Sequence, residues 1–466
     1  MDLWLLRCDF SHTLVSSYKL VCYYTNWAQY RKDGARFMPD KIDPCLCTHL
    51  IFAYANITED HELTSLEKED EEMYKKFNNL KSKNTKLKTL LSIGGWSFGT
   101  TRFTNMVATT DSRATFIRSA VSFLRQFGFD GLDVDWQYPG FRESPAEDRN
   151  RFTVLLKELR AAIEDEAHNE DKGKLLLTAA VAAYKEVIDN AYNISAISQC
   201  LDFISVRTFD FHGHWEKVTG HNSPLFLGPT DKGKFIFYNI DFALKYWRQQ
   251  GAAAEKLLVG FPTYGRTFTL SSSGNAVGAP VTGAGQVGLF TREPGLVAYY
   301  ETCVFLKTAT LKVIPEQKVP YAFKGSQWIG YDNQQSYKFK TQWLINNKFG
   351  GAMVWSLDFD DFSGTRCKEG VYPLINALKS LLNITGCPAP VTTVHPANTS
   401  QVPVTMVTTF SRVVDAGVWC RGKSQGMFAD PIDRSKFYIC AAGMTRHEMC
   451  PQELIFDENC HCCNWP

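Results

Sequence analysis

Charge of one sign is scarce in this 466-residue chain: 50 Lys and Arg set against 49 Asp and Glu leave a net +1. Nothing in that balance supplies a field to steer nucleic acid or an anionic membrane surface onto the protein. Long apolar runs are missing as well, and none reaches the ~20 residues of a membrane helix. Neither nucleic acid nor membrane is therefore expected as a partner, and the expected state is a monomer. The first 17 residues lack the apolar centre of a secretory leader. They offer only Leu3-Trp4-Leu5-Leu6 before Arg7, and Asp9 and His12 break the stretch up to Ser17. Residues 1–17 read as an atypical segment or a weak signal, with Ser16-Ser17 as a cleavage site. Paired C-x-x-C ligand units are absent too, so a zinc reading of Cys460, His461, Cys462 and Cys463 finds no support. No metal and no cofactor is expected.

Cysteine itself is plentiful, at fourteen residues. Six of them, Cys420, Cys440, Cys450, Cys460, Cys462 and Cys463, crowd the end of the chain. That density reads as a disulfide framework made in an oxidising compartment, so a secreted, extracellular protein is expected. A module of residues 417–466 is too short to bury a sufficient core alone and needs these staples. Six cysteines allow fifteen pairings, among which spacing does not choose. Phe437, Tyr438 and Trp465 are many rings for so small a core, and some are expected at the surface, where a flat ring can stack on a sugar face. Residues 388–416, rich in Pro, Thr, Val and Ser, read as an extended linker open to O-glycosylation. N-x-S/T acceptors stand at Asn56, Asn193, Asn383 and Asn398.

Eight short apolar runs punctuate the first 360 residues, at 20–26, 50–55, 88–93, 131–136, 175–182, 203–209, 257–264 and 351–357. Near-continuous apolar runs suit parallel strands buried on both faces. Amphipathic stretches lie between them; Phe116, Ala120, Phe123 and Phe127 recur at helical spacing. Eight strand–helix units predict an α/β fold, a closed (β/α)8 barrel. The gap between the seventh and eighth runs is too long for one helix. Tyr299, Tyr300, Phe305 and Trp328 predict a packed insertion at about 267–331.

The fourth run carries the chemistry, in F-D-G-L-D-V-D-W-Q-Y-P-G, residues 129–140. Side chains alternate along a strand, so Asp133, Asp135 and Gln137 share one face, with Leu132, Val134 and Trp136 on the other. Two carboxylates on one face of a buried strand are costly unless they are held by partners. The plain alternative is a scaffold of hydrogen-bonded acids. The functional reading is a row of acids climbing to the catalytic end of a barrel strand.

This stretch resembles the D-G-x-D-x-D-x-E signature of the family-18 glycoside hydrolases, the chitinases, and the resemblance runs from about residue 18 to 387. The C-terminal cysteine spacing, ending in C-x-C-C-N-W, resembles the type-2 chitin-binding domain. The resemblance implies disulfides Cys22–Cys47, Cys45–Cys387 and Cys303–Cys367, leaving Cys8 and Cys200 free. It also implies that the 267–331 insertion is a small α+β unit forming one wall of the groove, and that Asp135 orients a substrate N-acetyl group with Asp133 in support. The glutamate that donates the proton in that family is Gln137 here. On the sixth strand the family's M-x-Y-D becomes Arg207-Thr208-Phe209-Asp210: Phe209 lacks the family tyrosine's hydroxyl, and Arg207 sets a cation in the barrel floor that needs Asp133 or Asp135 as partner.

Tyr23, Trp27, Trp96, Trp215 and Trp355 match aromatic positions of the chitinase groove, and Tyr264 and Arg266 match its polar contacts. Gly94, Gly95, Ser97, Tyr138 and Glu67 complete the implied substrate-binding set. Lys68 stands where the family often has an aromatic. A glutamine has no proton to give near neutral pH. The expected function is thus a catalytically inactive chitinase-like lectin for chitin or N-acetylglucosamine oligosaccharides. Two alternatives stay open here: an active endochitinase cutting β-1,4 links with another donor, and a vestigial, poorly secreted product.

Overall fold

A computed structural model describes residues 18–387 apart from 33, 170–172 and 386, and then 426–430, 433, 435–441, 444–450, 455–457 and 462–464. The 1–17 segment with Cys8, the 388–416 linker with Asn398, and Cys420, Cys460 and Trp465 lie outside the described residues. The chain divides into two compact units, 1–391 and 392–466.

All eight apolar runs form strands of one parallel barrel: β1 Lys19–Thr25, β2 His49–Ile57, β3 Lys88–Gly94, β4 Gly131–Asp135, β5 Leu176–Val181, β6 Phe203–Val206, β7 Leu257–Pro262 and β8 Gly351–Trp355. β1 pairs in parallel with β2 on one side and β8 on the other, which closes the ring. Alternation along the strands builds two apolar layers. Leu132, Val134 and Trp136 join the layer between strands and helices, while Val21, Ile51, Ala53, Leu90 and Met353 fill the barrel interior. Each fully buried Val, Leu, Ile or Met among them contributes about 1.5–3 kcal/mol. Asp133 and Asp135 are therefore directed inward by the same alternation that buries Leu132 and Val134 outward.

The helix Thr110–Phe127 delivers the chain to β4. Thr109 caps it with Ser112 in a reciprocal box, and Gly128 ends it at φ +74°. Phe116, Ala120, Leu124 and Phe127 are its buried face. Phe123 is only half-buried, so Leu124 takes part of the role expected of it.

The insertion is packed, as its aromatics predict, but begins earlier than residue 267. Its central strand is Tyr264–Leu270, joined by Val281–Ala284, Leu296–Ala298, Thr310–Ile314, Val319–Lys324 and Gln327–Gly330, with the helix Tyr299–Leu306. Phe268, Tyr321 and Trp328 form its core. Among the described residues of the first unit the disulfides are Cys22–Cys47, Cys45–Cys387 and Cys303–Cys367, and Cys200 is free and buried.

The second unit contains a three-stranded antiparallel sheet, Gly426–Ala429, Lys436–Ala441 and Met444–Met449, and a two-stranded one, Ile455–Asp457 and Cys462–Asn464. Cys440 and Cys450 are disulfide-bonded. Tyr438 is buried with its ring stacked on His447 at 4.1 Å, and half-buried Phe437 stacks on Phe456 at 4.6 Å. Both rings pack within this unit; of the three rings, some of which are expected at the surface, Tyr438 is buried instead.

Closure of the barrel depends on close backbone approach at Gly351. Its φ is +148°, and a Cβ there would lie 2.0 Å from the Lys19 carbonyl oxygen. Gly351→Ala should cost roughly 2 kcal/mol or more, since it strains the backbone and parts β8 from β1. Urea unfolding of the two proteins measures this; an unchanged midpoint would show that the seam tolerates a side chain.

Candidate active site

At the C-terminal end of the barrel, β4 presents its row of polar groups to the interior. Asp133 is fully buried and accepts three hydrogen bonds: from Tyr23 Oη at 2.8 Å, Ser92 Oγ at 2.8 Å and Thr178 Oγ1 at 2.7 Å. Burial is the largest influence on its pKa, which is pushed up to about 6 although the hydroxyls pull the other way; the neighbouring Asp135 adds to the rise. Asp135, also fully buried, accepts from Tyr54 Oη at 2.6 Å, Gln137 Nε2 at 3.0 Å and Arg207 Nη1 at 3.1 Å. Its lone pairs thus face a phenol, an amide and a guanidinium.

Gln137 is 3% exposed and donates from its amide to the very carboxylate that its strand carries two residues earlier. Arg207 meets Asp135 as expected. Its Cζ also lies 5.0 Å from the Trp355 ring centroid and 5.2 Å from that of Phe209. Burial alone would lower the Arg207 pKa, but the Asp135 carboxylate holds it well above the usual value. Phe209 is buried and approaches Tyr264 edge-on at 6.1 Å. Tyr138 is buried beside this group; burial foremost pushes its hydroxyl up to about 12.

Around this centre the rings assemble. Trp355 lies 5.1 Å from Tyr23, 6.0 Å from Tyr54 and 6.3 Å from Trp27, and Trp27 stacks on Tyr54 at 6.0 Å. Trp96 and Trp215 are exposed at 59% and 53%. The Arg142 guanidinium covers one face of Trp96 at 3.6 Å, and Arg142 Nη1 donates to the Trp96 and Gln137 carbonyls at 3.0 and 3.5 Å. Arg266 lies 5.1 Å from the Trp215 ring and pairs with Asp210 at 2.7 Å. Tyr264 Oη donates to the same Asp210 oxygen at 2.6 Å. Asp210 sits at φ +59°, a conformation that Asp tolerates better than most residues, and its N–H is held by Asn222 Oδ1 at 2.9 Å.

Some expected contacts fall elsewhere. Thr208 turns away from the interior: its hydroxyl donates to the Gly260 carbonyl and accepts from the Gly260 N–H, both at 2.9 Å, so it clamps β7. Gly94 and Gly95 make room and offer no side chain: a Cβ would meet the Asp135 carbonyl oxygen at 2.2 Å or the Tyr54 ring at 2.5 Å. Ser97 and Lys68 are exposed and Glu67 half-buried, with the Glu67 N–H donating to Asp70 Oδ2. Two residues of the site escape sequence reasoning. Tyr54 is turned inward by a shift in the β2–β3 register between Ala53 and Ala55, which breaks the alternation. Arg142 comes from the loop after β4, where no periodicity applies. Tyr30, at the end of the short helix that carries Trp27, is exposed at 59%.

Residues 19–360 match the glycosyl hydrolases family 18 model, and residues 420–466 match the chitin binding Peritrophin-A domain. The chain belongs to glycoside hydrolase family 18. It is 46% identical to mouse chitotriosidase-1 over 459 residues, covering 97% of this chain and 96% of that relative. It is 48% identical to human chitinase-3-like protein 2 over 369 residues, covering 79% and 93%. Among solved structures, human YKL-39, described as a pseudo-chitinase with retained chitooligosaccharide binding, superimposes with a TM-score of 0.76 at 47% identity, covering 79% of this chain and 100% of that one. An Ostrinia furnacalis Group IV chitinase does so with a TM-score of 0.75 at 40% identity, covering 78% and 100%. Similarity thus extends to chitinases and to a pseudo-chitinase alike.

The raised pKa of Asp133 links the site to stability. Because the folded state holds this proton more tightly than the unfolded chain, the contribution is complete below about pH 4 and is lost as pH rises through about 6. Relative to Asp133→Asn, the unmodified protein should lose on the order of 3 kcal/mol between pH 4 and 7. Paired urea titrations across that range test it; a constant gap would mean that Asp133 ionises normally.

Proposed function

We propose that the barrel is a sugar-binding groove that does not hydrolyse its ligand, in a secreted lectin for chitin or N-acetylglucosamine oligosaccharides whose C-terminal module holds the insoluble polymer. The observation that carries this is the ligation of Asp135. Glycoside cleavage needs a carboxylic acid to protonate the leaving oxygen. Gln137 keeps the size of a glutamate but presents an amide, already donating to Asp135. General acid catalysis is worth roughly two to four orders of magnitude. Arg207 occupies the carboxylate that would orient an N-acetyl group, and Phe209 has no hydroxyl to offer a substrate carbonyl. Exposed rings that can stack on apolar sugar faces are kept at Trp27, Trp96 and Trp215.

Disulfides in both units favour an oxidising, extracellular setting. The match of residues 420–466 to a chitin-binding domain, and the chitooligosaccharide binding retained by YKL-39, favour the same ligand class here.

A reversion series tests the reading. Gln137→Glu alone should restore little cleavage of a fluorogenic chitotriose, because Arg207 still fills the centre. Adding Arg207→Met and Phe209→Tyr should raise the rate by at least about tenfold over the single change. Full activity in the single revertant would show that strand β6 plays no part in the loss. Deleting residues 417–466 should release most of the protein from chitin beads, whereas Trp96→Ala should weaken soluble oligosaccharides and leave bead binding nearly intact. Beads that retain the shortened protein would place the principal chitin site in the barrel.

A further inference from the structure

The centre of the groove is occupied by the protein itself. Arg207 lies over the ring of Trp355, the inner platform, and over Phe209, while its guanidinium is paired to Asp135. Its side chain is only 12% exposed and that of Asp135 is fully buried. A side chain so held is a fixed part of the floor. Swinging it aside would strip a buried carboxylate of its cation, and breaking one partner of a buried pair is strongly destabilising.

The charge of Arg207 acts on Tyr54 of β2 and on Tyr138 and Asp210, which follow β4 and β6. Exposed rings reach this centre through two separate sets of contacts. In the first, Trp27 is joined to it through stacking on Tyr54. In the second, Trp96 is tied through Arg142 to the Gln137 carbonyl, and Trp215 through Arg266 to Asp210.

We infer that Arg207 divides the groove into two half-sites, each taking a short stretch of sugar, so that one long chain is not bound through the middle. This rests on the groove being a site for N-acetylglucosamine oligosaccharides. It deepens that reading by fixing the length that is recognised. In an undivided groove each added sugar covers another ring face and the affinity climbs with chain length. In a divided groove the climb stops once a half-site is filled, since the next sugar meets a guanidinium locked to a buried acid.

The test is a calorimetric length series, from chitobiose to chitohexaose, on the full chain and on full-chain Arg207→Met. The C-terminal module is the same in both and cancels from the comparison. Arg207→Met/Asp135→Asn serves as a second variant without the unpaired buried carboxylate, and circular dichroism reports folding. For the unmodified protein, affinity should level off at the trimer, the hexamer binding within about threefold of it. In the variants the hexamer should gain about tenfold or more over the trimer. A tenfold gain already present in the unmodified protein, or a plateau that persists in folded variants, would overturn the division and leave the lectin reading standing. Should either variant fail to fold, the unmodified length series decides alone. Absence of binding at every length in all proteins would overturn the lectin reading, and the division with it.

Discussion

The site hangs on one buried carboxylate. Asp135 stands in the interior of the barrel, where an ionised group without partners is untenable, and three donors from three parts of the chain converge on it. Tyr54 comes from β2, Gln137 from the end of β4 and Arg207 from the end of β6. The acid is turned toward the protein, and removing any one donor leaves the others to hold a charge that water cannot reach. Gln137 gives Asp135 an amide, Arg207 gives it a cation, and Phe209 gives Arg207 a ring to rest on.

Around that centre stand exposed rings. Trp96 and Trp215 lie against a frame of ion pairs and hydrogen bonds, Arg142 with backbone carbonyls and Arg266 with Asp210, while Trp27 stacks on Tyr54. The frame rests on the closed sheet below and on the packed insertion beside it. The contacts that hold Asp135 and those that hold the outer rings thus involve mostly different residues.

Much of this was legible in the sequence, and the failures share a cause. Eight apolar runs located eight strands, since a strand buried on both faces has little choice of side chain. Alternation placed Asp133, Asp135 and Gln137 inside, and it also explains why Arg207 had to find an acid. Alternation read more strictly would have turned Thr208 outward, as the clamp on Gly260 does. Tyr54 was illegible because a register shift breaks the period just before it. Arg142 was illegible because a loop has no period. In the C-terminal unit, an aromatic count did not tell core from surface: Tyr438 is buried against His447. The disulfide pairings came from family resemblance and agree with the structure where the cysteines are described.

The claim that the groove holds sugar without cutting it is tested most directly by following one ligand in one sample. Purified full-length protein is saturated with chitohexaose, binding is confirmed by titration, and the sugar is then analysed by mass spectrometry after prolonged incubation at several pH values. The account predicts that the hexamer is bound and recovered intact, as in a protein-free control. Accumulation of shorter sugars with this protein, but not with an Asp135→Ala preparation made in parallel, would contradict it.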